Sequence, residues 1–332
     1  MACIASRNEF APKEIIECQV EQRAVHIDHH GINVVPRDDG ARRRGHLRGE
    51  IRAWCHYDTQ GAAVKLNAKQ ALLNELRAIA TAAGDAIMSV YGGEFAVELK
   101  DDQSPLTEAD RVSHELIVAA LKSLRPALPV LSEESAPEEL TNRLSWERYW
   151  LVDPLDGTKE FVKRNGEFTV NIALVEQNRA SVGVVLAPAK ELEYSGAFGL
   201  GAWRRVSGGP LEEFRTALRQ TGPVRVVCSR SHPSGALAAY LKRLGPHELK
   251  PMGSSLKICL VADGQADMYP RLGPTSEWDT AAAQAILESA GGSMMDSAGQ
   301  ALRYNTKDGL LNPYFLAVGD PDRDWLAALN NG

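Results

Sequence analysis

No two of the five cysteines, Cys3, Cys18, Cys55, Cys228 and Cys259, form a CxxC pair, and their odd number leaves no complete disulfide framework. Reduced thiols in a cytoplasm are the default for such usage. No apolar run approaches the ~18 residues that signal a membrane span. Met1 to Val20 is broken by Arg7, Glu9, Lys13, Glu14 and Glu17, which argues against a secretory signal. Positive charge is in deficit. A net charge of −6 speaks against a nucleic-acid polymer as partner but leaves room for a small nucleotide in a local basic pocket. Repeats and low-complexity tracts are missing too. What remains is a 332-residue chain of ordinary globular composition, long enough for two domains or for one with a cleft.

Residues 1–66 differ from the rest. They hold His26, His29, His30, His46, His56, three of the cysteines and the cluster Arg42-Arg43-Arg44, with no sustained helical or strand period. A zinc site from His26, Asp28, His29, His30, Cys55 and His56 would have irregular ligand spacing and no evident supporting shell. The expectation is a disordered or artefactual leader, with the folded protein starting near Asn67.

From there Leu72, Leu76, Ile79, Ala83, Ile87 and Val90 recur at helical spacing, and Gly92-Gly93 supplies the stop. Thr107 with Asp110 three residues on reads as the capped start of a second helix, which runs to Leu124 ahead of Pro126. Strands are expected over 129–131, 149–152, 168–175, 181–186 and 191–198, with Asn178-Arg179 as a turn. Beyond Ser207 the elements alternate: strand 224–228, helices 234–244 and 254–262, strand 266–269, and helix 278–289 ended by Gly291-Gly292. That pattern predicts an α+β part over 67–205 and an α/β part over 206–328.

Three acidic groups follow strand or cap signals: Glu133-Glu134, Asp153 with Asp156, and Asp279. A Glu-Glu pair is most often a solvated surface, and Asp279 fits a helix N-cap. Asp153 and Asp156 are harder to dismiss. Val152 marks a buried strand end, and two carboxylates there repel each other and resist desolvation. A divalent cation removes that penalty, and the Leu155 carbonyl between them offers one more hard oxygen. Oxygen-only donors favour Mg²⁺ or Mn²⁺ over zinc. Gly157 and Thr158 follow, where glycine permits close backbone approach and the first N–H groups of a helix attract anions. Lys159 reads as a surface lysine, Met252, Met268, Met294 and Met295 as core filler, and Cys259 as a small buried hydrophobe.

Asp153-Pro154-Leu155-Asp156-Gly157-Thr158 resembles the signature of the inositol monophosphatase superfamily of Mg²⁺-dependent phosphatases. Trp278-Asp279-Thr280-Ala281-Ala282 through Gly291-Gly292 resembles its second signature. Leu131-Ser132-Glu133-Glu134, Asp156 to Glu167 with Phe168 to Leu174, Ser229-Arg230-Ser231-His232 and Gly253-Ser254-Ser255-Leu256-Lys257 narrow the resemblance to its bacterial bisphosphate nucleotidase branch, over about residues 68–320. The implied fold is a layered α-β-α-β-α sandwich. The resemblance assigns Glu133, Asp153 and the Leu155 carbonyl to one Mg²⁺, and Asp153, Asp156 and Asp279 to a second. Asp110 falls near a weaker third metal and the attacking water, with Thr158 as its partner. His232, Ser254, Lys257 and Arg271 match positions at the nucleotide end of the pocket, although Ser254 and Lys257 also read as a helix cap and a solvated helix residue.

The implied reaction is in-line hydrolysis of adenosine 3',5'-bisphosphate to AMP and phosphate, without a phosphoenzyme, and the sulfated analogue is a second expected substrate. That places the chain in sulfate assimilation. Inositol monophosphate and fructose 1,6-bisphosphate are the competing substrates, and a non-catalytic cation- or nucleotide-binding protein is the competing class. The cytoplasm is the expected location, with peripheral attachment to the inner membrane face as in some relatives; the oligomeric state is not readable.

Overall fold

In a computed structural model the described residues are 3–6, 15–20, 23–28, 31–34, 59–99, 105–218, 221–230 and 235–330, with side chains from Leu66 onward. The chain divides into two compact units, Met1–Asp58 and Thr59–Gly332. In the first, β1 (Cys3–Ser6), β2 (Ile15–Val20), β3 (Arg23–Asp28) and β4 (Gly31–Val34) pair in sequence order as an antiparallel sheet. His26 and Asp28 fall on β3, while His29, His30, Cys55, His56 and the Arg42-Arg43-Arg44 cluster lie outside the described residues.

The second unit begins with α1 (Thr59–Tyr91), eight residues earlier in the chain than the periodic stretch from Asn67 suggests. Its end is as expected, with the Gly92 N–H donating to the Met88 carbonyl at 3.1 Å. The short pair β5 (Val97–Leu99) and β6 (Pro105–Thr107) leads into α2 (Glu108–Ser123). A seven-stranded sheet follows, made of β7 (Val130–Ser132), β8 (Arg148–Asp156), β9 (Thr169–Glu176), β10 (Arg179–Ala187), β11 (Leu192–Ala197), β12 (Gly201–Val206) and β13 (Glu212–Phe214), neighbours in chain order. The five-residue α3 (Thr158–Val162) is inserted after β8. A five-stranded sheet takes the order β15 (His247–Met252), β14 (Val224–Ser229), β16 (Met268–Arg271), β18 (Phe315–Val318), β17 (Ser293–Asp296). The remaining helices are α4 (Gly235–Leu244), α5 (Leu256–Ala262), α6 (Ala281–Ser289) and α7 (Ala327–Asn330).

Side-chain alternation sorts these elements into layers. Trp150, Val152, Ile172 and Val184 point from the large sheet onto Leu76, Ala80 and Ile87 of α1 and onto Ile117 of α2. Tyr149, Leu151, Ala173 and Val185 point the other way, onto α5 and α6, which also cover Tyr269, Phe315 and Ala317 of the small sheet. The far face of that sheet, with Val226, Met268 and Leu316, packs on Tyr240 of α4 and Ala328 of α7. The stack is therefore α1/α2, seven strands, α5/α6, five strands, α4/α7, which is the expected α-β-α-β-α sandwich. Full burial of Ile286 and Leu287 in the middle layer stabilises it by about 1.5–3 kcal/mol per side chain. Gly183 lets α6 approach β10, since a Cβ there would lie 2.1 Å from the Ala282 carbonyl oxygen.

Candidate functional site

The site begins with an irregularity in β8. On a regular strand Asp153 and Asp156, three residues apart, would face opposite sides of the sheet. Asp153 pairs with Asn171 and Asp156 with Thr169, so three steps on β8 match two on β9. This is a β-bulge, and its extra residue returns Asp156 to the face that Asp153 occupies. Pro154, which has no N–H to offer a ladder, sits within it. Its carbonyl accepts from Ser113 Oγ of α2 at 2.8 Å. The strand thus continues through both aspartates, whereas Val152 reads as its end in the sequence.

Asp279 approaches from the loop before α6. One carboxylate oxygen from each of Asp153, Asp156 and Asp279 lies within 4.8 Å of the others, the only grouping of this kind among the described residues. Asp279 is not the N-cap that its position suggests: Thr280 takes that place, and the Asp279 carboxylate instead accepts from the Ser276 N–H at 2.9 Å and from the Thr275 hydroxyl. Glu133, just past β7, lies outside the tight triplet but lines the same cleft, and its N–H donates to the Val152 carbonyl at 3.1 Å.

Burial and mutual repulsion act on these acids together. Asp153 is 1 % exposed, and desolvation with the charges of Glu133, Asp156 and Asp279 holds its carboxyl well above the ordinary range. Desolvation and Asp279 push Asp156 up to about 6, against the opposing pull of Lys257 and hydrogen bonds from Ser255. A hard divalent cation among these oxygens relieves both penalties, so the donor set fits the metal that its chemistry calls for.

A second pair adjoins the carboxylates. Asp110 opens α2, where its Oδ2 accepts from both the N–H and the hydroxyl of Thr107 at 2.7 Å. Its Oδ1 lies 3.2 Å from the Thr158 hydroxyl, which is also 3.4 Å from the Leu155 carbonyl. Gly157, at φ +92°, makes the turn into α3; a Cβ there would sit 3.1 Å from the Glu167 carbonyl oxygen. Helix geometry leaves the N–H groups of Thr158 and Lys159 open, and both residues line the cleft.

These residues border an open cleft with a cavity volume of about 210 Å³. Glu133, Asp156, Gly157, Thr158, Ser254, Lys257, Arg271 and Asp279 all line it. Lys257 is half-buried and donates to the Ser254 carbonyl at 2.5 Å; burial lowers its pKa, while the Asp156 charge acts in the opposite sense. Ser254 is held at φ +46°, a left-handed backbone that serine adopts only under constraint. Arg271 donates to the Pro274 carbonyl. His232 lies outside the described residues. Among the methionines, Met268 and Met294 are fully buried, and burial pushes the Cys259 thiol up, as befits an inert core residue.

Several contributors have no role assigned from the sequence. Ser255 bonds Asp156 through both its N–H (2.6 Å) and its hydroxyl (2.9 Å). Glu167 ties the loops flanking the cleft, accepting from Gly253 N at 2.8 Å and from Arg230 Nε and Nη2 at 3.1 and 2.9 Å. Both residues occur inside runs that carry the family resemblance, and that was their only signal.

Known proteins resemble this chain in sequence and fold. A profile of the inositol monophosphatase family matches residues 68–324. The 3'(2'),5'-bisphosphate nucleotidase CysQ of Salmonella typhimurium is 50% identical over 246 residues, covering 74% of this chain and 98% of that protein. The crystal structure of CysQ from Bacteroides thetaiotaomicron superposes with a TM-score of 0.67 at 42% identity, over 75% of this chain and 97% of that one. The inositol monophosphatase of Anabaena gives 0.61 at 25% identity, over 78% and 95%.

Proposed function

The chain belongs to the inositol monophosphatase family, and from that membership we propose that it is a 3'(2'),5'-bisphosphate nucleotidase hydrolysing adenosine 3',5'-bisphosphate to AMP and phosphate. The observation that carries this reading is the meeting of Asp153, Asp156 and Asp279, from β8 and the α6 loop, with the Thr158–Asp110 pair beside them. A pure nucleotide binder needs no such convergence of mutually repelling acids. The sulfated analogue is a second substrate in this proposal, and sulfate assimilation the setting.

The enzyme depends on divalent metal, and we assign Mg²⁺, two ions with a weaker third. Glu133, Asp153 and the Leu155 carbonyl would hold one, and Asp153, Asp156 and Asp279 would hold the other. When bound, such ions neutralise the acids, polarise the phosphoryl oxygens and lower the pKa of water. The protein contributes direction. The Thr158 hydroxyl donates a hydrogen bond to Asp110 Oδ1, which leaves its lone pairs to accept from a water and aim that water at phosphorus. The N–H groups after Gly157 hold the scissile phosphate, while Ser254, Lys257, Arg271 and His232 hold the nucleotide and its second phosphate. In this proposal residues 67–205 form a subdomain bearing most metal ligands and residues 206–328 a second one; the large sheet takes β13 and the last residue of β12 from the latter.

Among the described residues no helix is long and apolar enough to cross a membrane. A cytoplasmic enzyme is the reading we favour. Phosphate release is the test, measured with and without Mg²⁺, comparing adenosine 3',5'-bisphosphate with inositol monophosphate and fructose 1,6-bisphosphate. The highest kcat/KM belongs to the adenosine bisphosphate. Preference for either competitor overturns the substrate, and binding without turnover overturns the enzyme.

A further inference from the structure

Ser255 occupies the N-cap position of α5, yet its side chain makes no cap hydrogen bond to that helix. A serine kept only to begin a helix would turn its oxygen to the helix's own N–H groups. This one is turned across the site. Its Oγ lies 2.9 Å from Asp156 Oδ2 and 2.5 Å from the Asp279 carbonyl oxygen, while its N–H reaches the same Asp156 oxygen at 2.6 Å. One residue thus touches two chain segments that arrive independently, the end of β8 and the loop before α6.

Asn171 fixes how the Ser255 hydroxyl is used. Asn171 is 1 % exposed and stands on β9 opposite Asp153. Its Nδ2 donates to Ser255 Oγ at 2.8 Å. The serine oxygen is therefore an acceptor toward Asn171, and its single proton is committed to the acid side, to Asp156 or to the Asp279 backbone. Asn171 Oδ1 is buried with no partner of its own, so the amide is held there at a cost that the sheet alone does not require.

We propose that Ser255, seated by Asn171, is a positioning residue that sets the spacing between Asp156 and Asp279 and thereby tunes metal affinity. This rests on reading those carboxylates as metal ligands. Groups that orient metal ligands from behind typically govern affinity or activity ~10- to 100-fold.

The test is calorimetric titration of Mn²⁺ into the metal-free full chain, a readout separate from turnover. Ser255→Ala weakens Mn²⁺ binding by ~10- to 100-fold, and Asn171→Ala by part of that. The double variant binds no more weakly than Ser255→Ala, since Asn171 acts through the serine. At saturating Mn²⁺ the KM for adenosine 3',5'-bisphosphate is unchanged, which general loosening of the fold would not allow. Ser255→Thr keeps the hydroxyl and recovers affinity, and Asn171→Ala reads the same linkage should either substitution at 255 fail to fold. Wild-type affinity in Ser255→Ala, or additive losses in the double variant, overturns the proposal. Absence of Mn²⁺ binding by the unaltered chain instead overturns the metal reading on which it stands.

Discussion

Thr158 Oγ1 lies 3.2 Å from Asp110 Oδ1, although 48 positions separate the two residues in the chain. One opens α3 and the other opens α2, so two helix starts face each other across the cleft floor. With Asp110 as acceptor, Thr158 has a fixed proton and free lone pairs. Thr158→Ala is expected to lower kcat by roughly 10²-fold or more while leaving Mn²⁺ affinity in place, the signature of lost water alignment. Stopped-time phosphate assays beside metal titration separate the two effects.

Asp153→Asn should abolish Mg²⁺-dependent phosphate release and yet raise the melting temperature of the metal-free protein. The wild-type carboxyl is buried and faces Glu133, Asp156 and Asp279, so a neutral isostere removes repulsion as well as a ligand. Differential scanning fluorimetry in EDTA checks the gain. A fall in melting temperature would contradict it.

The same repulsion dictates a pH dependence. Asp156 is raised from 3.8 to about 6, and Asp153 is raised as well. A carboxyl raised on folding holds its proton more tightly in the folded state, so stability is highest below its unfolded value and is lost as pH climbs through the folded one. The metal-free protein should therefore weaken between pH 4 and just above 6. Stabilisation by Mg²⁺ should be large at neutral pH and shrink in acid, as paired thermal scans with and without the ion will register.

Lys257→Met removes a cation from the cleft while keeping the aliphatic stem that passes near Tyr269, where Nζ lies 5.6 Å from the ring. The KM for a bisphosphate nucleotide should rise by about tenfold, the scale of one charge-assisted hydrogen bond, with a smaller change in kcat. An unchanged KM would remove Lys257 from the set that holds the second phosphate.

Gly183→Ala tests how the middle layer supports the site. The new methyl would meet the Ala282 carbonyl at 2.1 Å, and Ala282 lies three residues past Asp279. Overpacking here should cost about 3 kcal/mol and loosen metal binding together with stability, as denaturant melts will show.

Much of this was legible in the chain. Asp153, Asp156 and Thr158 stand close together, and Thr107 with Asp110 forms a local motif, so short-range rules suffice for them. The buried strands β8 to β11 announce themselves by apolar runs. β15 does not, because its six residues are exposed or half-buried at a sheet edge, and β12 and β13 carry the same ambiguity beside Gly208-Gly209. Ser255 escaped for a different reason. Its role depends on Asn171, Asp156 and Asp279 arriving from three other elements, and no spacing rule reports such a meeting. The N-cap reading of Asp279 failed by one residue, because Thr280 stands at the N-cap position and the Asp279 carboxylate turns back to Thr275 and Ser276.

The bulge at Pro154 makes the site a matter of odd and even. Val152 and Leu155 belong to the oily layer under α1 and α2, and Asp153 and Asp156 to the opposite one. Flattening the bulge into a regular strand of the same length would exchange Leu155 with Asp156, delivering a leucine to the cations and a carboxylate to the hydrocarbon, whereas removing the extra residue would leave both aspartates on one face. What keeps the two carboxylates together and Leu155 in the hydrocarbon is thus the single unpaired step in β8, matched against an unbroken β9.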